Sequence, residues 1–194
     1  MSGSIDDVQR SLRRLLAAGL GDTWTIRLER MEVPDDDRPV AFVEGAGPTV
    51  TPLAPRMTIP QGDYDKLKPF TVSTYPAFGA TPHESRKVAF DLEHTLARIF
   101  EVGLDMAHSR PGVVALYDYS AVALAGQAGP ATPFGYAHSD DVSVRAIQDP
   151  ADDRRWTVTC DLRLTWRVGG RVLPSQPLVD RLTGAYRPGL DPSP

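Results

Sequence analysis

Between Trp156 and Val168 every second residue is apolar. Trp156, Val158, Cys160, Leu162, Leu164, Trp166 and Val168 alternate with Thr157, Thr159, Asp161, Arg163, Thr165 and Arg167. A period of two puts one set on one side of an extended chain and the other set opposite. The stretch is therefore predicted to be an antiparallel strand with an apolar face and a wet face. At about 3.3 Å per residue it reaches roughly 43 Å, and a compact globule of this chain length is about 40 Å across. Such a strand crosses the whole domain, well beyond the usual five or six residues. Either its end projects or neighbouring subunits cover it, so assembly is expected.

Other segments supply what that face needs to pack against. Ser4 is placed to cap a helix with Asp6 and Asp7 in its first turn, where negative charge is favoured. Ile5, Val8, Leu12, Leu15 and Leu16 recur at helical spacing opposite Arg10, Arg13 and Arg14. This predicts a helix over 4–18, stopped by Gly19. Thr81-Pro82-His83-Glu84 combines an N-cap, a proline at the first helical position and a capping-box glutamate. The helix it opens should run to about Glu101, with Gly103 near its end and Val88, Ala89, Leu92, Leu96, Ile99 and Phe100 on one face. Trp24, Ile26 and Leu28 read as a half-buried strand, and Val40 to Val43 as a short returning strand, together a hairpin. Phe70 to Tyr75 and Gly112 to Asp118 read as further strands. Val142, Val144 and Ala146 alternate, and Asp149-Pro150-Ala151-Asp152-Asp153 reads as a turn.

Prolines 48, 52, 55, 60 and 69 argue against a long helix or central strand between 44 and 69, which is expected to be a long loop. The Ala/Gly/Pro-rich stretch from Ala121 to Tyr136 is expected to be loop too. Without βαβ alternation, the fold class is α+β: an antiparallel sheet packed against two amphipathic helices, with long Pro/Gly-rich loops. Residues 1–173 are expected to form one domain and 174–194, with five prolines, an extended C-terminal arm.

Charge and cysteine content exclude several classes. Lys and Arg number 21 against 25 Asp and Glu, a formal net charge of -4, so the excess of cations needed to wrap a duplex is missing. No apolar run approaches the roughly 18 residues of a membrane span. Cys160 is the single cysteine, which rules out an intrachain disulfide and suits a reducing compartment. A charged amphipathic segment follows Ser4 directly, and no secretory leader is expected.

The sequence offers little chemistry. His83 and His94 share a helix but lie roughly 16 Å apart at 1.5 Å per residue, so they cannot chelate one ion. His108 and His138 have no ligand spacing around them, and no metal or cofactor is expected. Cys160 sits between Val158 and Leu162 on the apolar face, the environment of a packing cysteine, with no cation nearby to make a thiolate. Asp35-Asp36-Asp37 and Asp152-Asp153 fall in turns and lack the spaced ligands of a calcium loop. Gly45-Ala46-Gly47 lacks the third glycine of a dinucleotide loop, and neither a P-loop nor a nucleophile elbow is present. Motifs give no reason to expect an enzyme.

The arrangement resembles the tail terminator proteins of siphovirus-type phages, particularly those of actinobacterial hosts. Three stretches carry the likeness: Phe70 to Pro76 leading into Thr81-Pro-His-Glu and its helix, Ala115-Leu-Tyr-Asp-Tyr119, and Ala146 to Trp156 leading on to Trp166. With the first helix, the likeness covers most of residues 4–168 as an ordering of elements. It implies a ring, typically a hexamer, that binds the head-proximal end of the tail tube, stops tube growth and meets a head-side connector or stopper. Genomic DNA would pass through without specific binding, and the protein would belong to the virion neck after assembly in the host cytoplasm. The family has no active site to transfer. On this reading Asp152, Asp153, Arg154 and Arg155 at a hairpin tip are candidates for pairing around a ring. Asp161, Arg163 and Arg167 are candidates to line an interface or the channel. The competing readings are another head-tail connector or tail-completion protein, a scaffold protein favoured by a closed dimer, and a small-ligand binder or enzyme using 121–136 as a lid.

Overall fold

The computed structural model describes residues 4–28, 38–50, 64–100, 113–119 and 132–168. Among them are two helices, α1 (Ile5–Leu20) and α2 (Pro82–Arg98). The strands are β1 (Thr25–Arg27), β2 (Val40–Gly45), β3 (Tyr64–Tyr75), β4 (Val113–Asp118), β5 (Thr132–Asp149) and β6 (Asp152–Val168). All six strands join one sheet in the order β1-β2-β3-β6-β5-β4. The fold is α+β, and the helices and the apolar sheet face share one core.

The alternating stretch is the inner strand the pattern implies. Trp156, Val158, Cys160, Leu162, Leu164 and Trp166 are all buried, none more than 8 % exposed. β6 pairs antiparallel with β3 from Val168 down to Val158 and with β5 from Trp166 down to Asp152. The strand starts four residues earlier than its alternation, because only Pro150 and Ala151 form the turn to β5. Asp152 and Asp153 are thus strand residues, not turn residues. Within β5 the register shifts between Ser139 and Asp141. That bulge turns Val142, Val144 and Ala146 to the core side, where they pack half-buried.

Both helices start as their capping sequences dictate. Ser4 accepts the Asp7 amide at 3.1 Å while Asp7 accepts the Ser4 amide at 3.2 Å. Thr81 and Glu84 form the same reciprocal pair. Val8, Leu12 and Leu16, spaced by four, are fully buried. α1 ends one turn-fraction later than Gly19 suggests, since Gly21, at φ 84°, supplies the cap and donates to the Ala17 carbonyl. α2 is rotated relative to the expected face: Ser85, Ala89, Leu92 and Leu96 are buried, and Val88 is 40 % exposed. The Gly79 backbone presses on the first turn, where a Cβ would lie 2.5 Å from the Ser85 nitrogen. Gly79 donates to the Ser85 hydroxyl at 3.0 Å, so a small polar residue wins that position over Val88.

Further sequence expectations give way. β1 and β2 pair in parallel, Thr25 opposite Val40, and are not a hairpin. The residues joining them, 28–39, are long enough for a crossover rather than a tight turn. The segment 44–69 is not all loop: β2 runs to Gly45, Val50 bridges to Leu67, and β3 begins at Tyr64. Pro69 is tolerated there because its carbonyl accepts the Ala46 amide at 2.9 Å, just where β2 ends. A residue's N–H and C=O point to the same edge of a strand, so the missing proline donor faces β2's end and not β6. The segment 121–136 likewise yields to β5 from Thr132. Residues 51–63 and 121–131, Gly103 and the expected arm from 174 lie outside the described residues.

A single helix closes the sheet. α1 touches β4 at one end of the strand order and both β2 and β1 at the other, which requires the sheet to curl around it. The Ser11 hydroxyl accepts the Tyr117 amide at 3.0 Å and Asp7 Oδ1 accepts the Tyr119 amide at 3.1 Å. On the other side, Gln9 Nε2 donates to the Val43 carbonyl at 3.3 Å. Asp7, 3 % exposed, thus serves both its own helix start and the β4 edge. Asp7→Ala is expected to lower unfolding free energy by about 2–3 kcal/mol, the range for losing hydrogen bonds to a buried charged acceptor. Urea denaturation with an unchanged m-value is the check.

Candidate functional site

The residues singled out from the sequence fall in two places on β6. Arg155 and Asp161 are six positions apart, about 20 Å along an extended strand. The tip set and the face set therefore cannot form one site.

At the tip, most of the charge is used within the chain. Asp149 and Asp152 stand directly opposite, and each turns a carboxylate oxygen to a backbone N–H two residues on, Ala151 at 2.8 Å and Arg154 at 3.0 Å. The second Asp152 oxygen meets Arg155 Nε at 3.1 Å. Arg154 reaches away from the tip: its Nη2 donates to the Gly79 carbonyl at 3.0 Å, and its guanidinium lies 5.7 Å from the Phe78 ring. Arg38 stacks on the same ring at 4.6 Å, so two arginines grip the connection between β3 and α2. Gln148 holds the Asp153 carbonyl at 3.1 Å. The Asp153 carboxylate itself is exposed and makes no hydrogen bond or ion pair among the described residues.

The face set lies on the sheet surface opposite the helices. Thr71 donates to Asp161 Oδ1 at 2.7 Å from the neighbouring strand. Arg145, from β5, bridges Thr159 at 3.2 Å and Asp161 Oδ2 at 3.4 Å. Arg167 pairs with Asp65 directly across the ladder at 3.1 Å. Arg163 sits between these groups opposite Asp141 and Pro69, exposed and without an ion-pair partner among the described residues. All these pairs reach solvent, so each contributes at most about 1 kcal/mol. They organise a charged surface more than they stabilise the fold. Arg145 escaped the sequence reading, although it alternates with Val144 and Ala146 and so belongs to the outward face of β5.

No cluster of three His, Cys, Asp or Glu side chains among the described residues could hold a metal. His83, His94 and His138 are exposed, and His108 lies outside the described residues. Recesses open among the described residues. One of about 210 Å³ lies between α1 and β4, one of about 330 Å³ between α2 and β5 around Phe90, His94 and Val142, and one of about 490 Å³ at the start of α2 around His83, Arg86 and Trp156. Another, of about 320 Å³, lies on the outer sheet face and is lined by Thr71, Asp141, Asp161 and Arg163 of the face set. No helix among the described residues is long and apolar enough to cross a membrane.

Comparison with known proteins leaves the family open. No protein-family model matches the chain, and no curated protein matches it. Among solved structures it is similar to a Giardia lamblia prolyl-tRNA synthetase in complex with prolyl-adenylate, at 12 % identity and a TM-score of 0.20. The match covers 75 % of this chain and 29 % of the synthetase. A likeness that faint carries no argument about fold or activity.

Burial pushes the Cys160 thiol up to about 12, with the Asp161 charge adding to the effect. The native state then holds the Cys160 proton where the unfolded chain, with a thiol near 9, gives it up. The stabilisation is complete below pH 9 and is lost as pH rises from there through 12. At pH 8, modification by a thiol reagent should run no faster than unfolding, and added urea should accelerate both together. Rapid labelling of the native protein would show Cys160 accessible.

Proposed function

We propose that the chain is a structural protein of the phage neck. It assembles as a ring, expected to be a hexamer, on the head-proximal end of the tail tube, ends tube polymerisation and joins the tail to a head-side connector. Genomic DNA passes through the ring without specific binding. The observation that carries the reading is the β5–β6 hairpin, two strands of 18 and 17 residues with helices on one side and a charged network on the other. A two-faced ribbon of that length presents far more lateral surface than a single domain needs. Exposed Phe90, Tyr136 and Ile147 add apolar surface of the kind that copies cover in an assembly. The reading needs no cofactor.

Interactions within the chain narrow the candidates for subunit contacts. Asp152, Arg154, Arg155, Asp161 and Arg167 are already engaged, which leaves the Asp153 carboxylate and the Arg163 guanidinium for a neighbour. A ring needs heterologous patches, one from each side of the subunit. D153R and R163E are each expected to reduce the ring fraction at least about tenfold in native mass spectrometry, leaving the monomer's thermal unfolding unchanged. Purified protein added to growing tail tubes should shorten them and sit at one end in micrographs. Tubes of unaltered length with the protein bound on the head side would favour another head-tail connector or tail-completion protein. A ring mass indifferent to both substitutions would remove these two residues from the contact.

A further inference from the structure

The recess at the start of α2 is bounded by Pro82, His83, Arg86, Gln148, Asp153 and Trp156, and its volume of about 490 Å³ is that of a small-molecule site. Trp156, in its wall, is 8 % exposed, and the indole Nε1 is buried with no acceptor among the described residues. Buried donors are nearly always paired, and an indole nitrogen can only donate. Phe90 holds the indole in place, with ring centroids 5.7 Å apart. Further donors stand around the recess. The first amides of a helix have no acceptor within it. Here the Thr81 hydroxyl takes the Glu84 amide, the Thr81 carbonyl takes the Ser85 amide, and Pro82 has none to place. The His83 amide is left without an acceptor among the described residues. Arg86 is exposed, lies 5.2 Å over the Phe90 ring and pairs with no acid among the described residues.

We propose that this recess binds a small molecule through an oxyanion, a carboxylate or phosphate group, with Arg86, His83 and the Trp156 indole as its donors. The proposal stands apart from the neck reading. Each donor suits negative oxygen for its own reason. Arg86 brings a full charge and a planar fork of N–H groups. The start of α2, a helix of 17 residues, brings partial positive charge and the open His83 amide. Trp156 brings a donor already removed from water, so an arriving acceptor restores a hydrogen bond that folding left unmade. Asp153 acts against these groups. Its exposed carboxylate borders the same recess and forms no ion pair among the described residues. Glu84 is the other acid at this helix start, and its carboxylate is held by the Thr81 amide at 3.1 Å. Asp153 therefore weakens the hold on an anion, and neutralising it must tighten binding. A site for a cation would respond in the opposite sense.

The test is a titration of the full-length protein with sodium phosphate and, separately, with sodium acetate, read from the Trp156 indole N–H resonance in proton–nitrogen correlation spectra. Its absence from Trp156→Phe assigns that resonance; should this variant not fold, the shift caused by Phe90→Leu assigns it. A saturable downfield movement at millimolar anion is expected, and none in sodium chloride of matched ionic strength. Arg86→Gln should weaken the apparent affinity about tenfold, the scale of a lost hydrogen bond to a charged group. Asp153→Asn should strengthen it about threefold, the scale of one exposed charge. Tighter binding of phosphate than of acetate would assign a phosphate-bearing ligand, and the reverse a carboxylate-bearing one. A resonance that moves with neither anion, or equally in chloride, overturns the proposal. Weaker binding in Asp153→Asn overturns it too, since the recess would then prefer a cation.

Discussion

Burial of the alternating face of β6 is the constraint on which the other elements depend. Six large side chains on one strand cannot be covered by a single neighbour. β3 and β5 therefore flank it over most of its length, and α2 lies across the side chains that remain. The pairing is antiparallel on both sides, so the backbone of the central part finds its partners within the sheet, interrupted only by the register shift opposite Leu164 and Arg163. Complete burial of these six amounts to roughly 10–15 kcal/mol of transfer free energy, at about 2 kcal/mol each. That exceeds anything the surface ion pairs contribute, which is why those pairs are free to serve the outer surface.

The second constraint is the edge. A curled sheet has two bare margins, and here one helix meets both, with hydroxyl, carboxylate and carboxamide groups replacing the hydrogen bonds a further strand would make. Asp7 and Ser11 point sideways from α1 while Val8, Leu12 and Leu16 point into the core. Helix packing and edge protection are thus the same event. α1 cannot detach from the core without also uncovering β4.

The sequence was informative where a periodic pattern had a single solution. The period of two in β6, the reciprocal caps of Ser4–Asp7 and Thr81–Glu84, and the apolar stripe of α1 all dictate local geometry. The α+β class followed from those. Signals that depend on distant partners were not legible. Pro69 reads as a break in isolation, and only the end of β2 beside it makes it a tolerable strand residue. Val88 fits the apolar face of α2 by spacing, and the approach of Gly79 decides otherwise. β1 and β2 look like a hairpin until register is known. At the candidate site, the charged residues were visible but their engagement was not, since Arg154 reaches Gly79, 75 positions earlier.

Pro69 has an effect beyond being accommodated. A β2 lengthened past Gly45 would set the Ala46 carbonyl against a nitrogen that has no hydrogen to give, and the ladder with β3 stops at that point. The proline works as an end-stop: the chain leaves the regular ladder there and meets β3 again only at the single bridge between Val50 and Leu67.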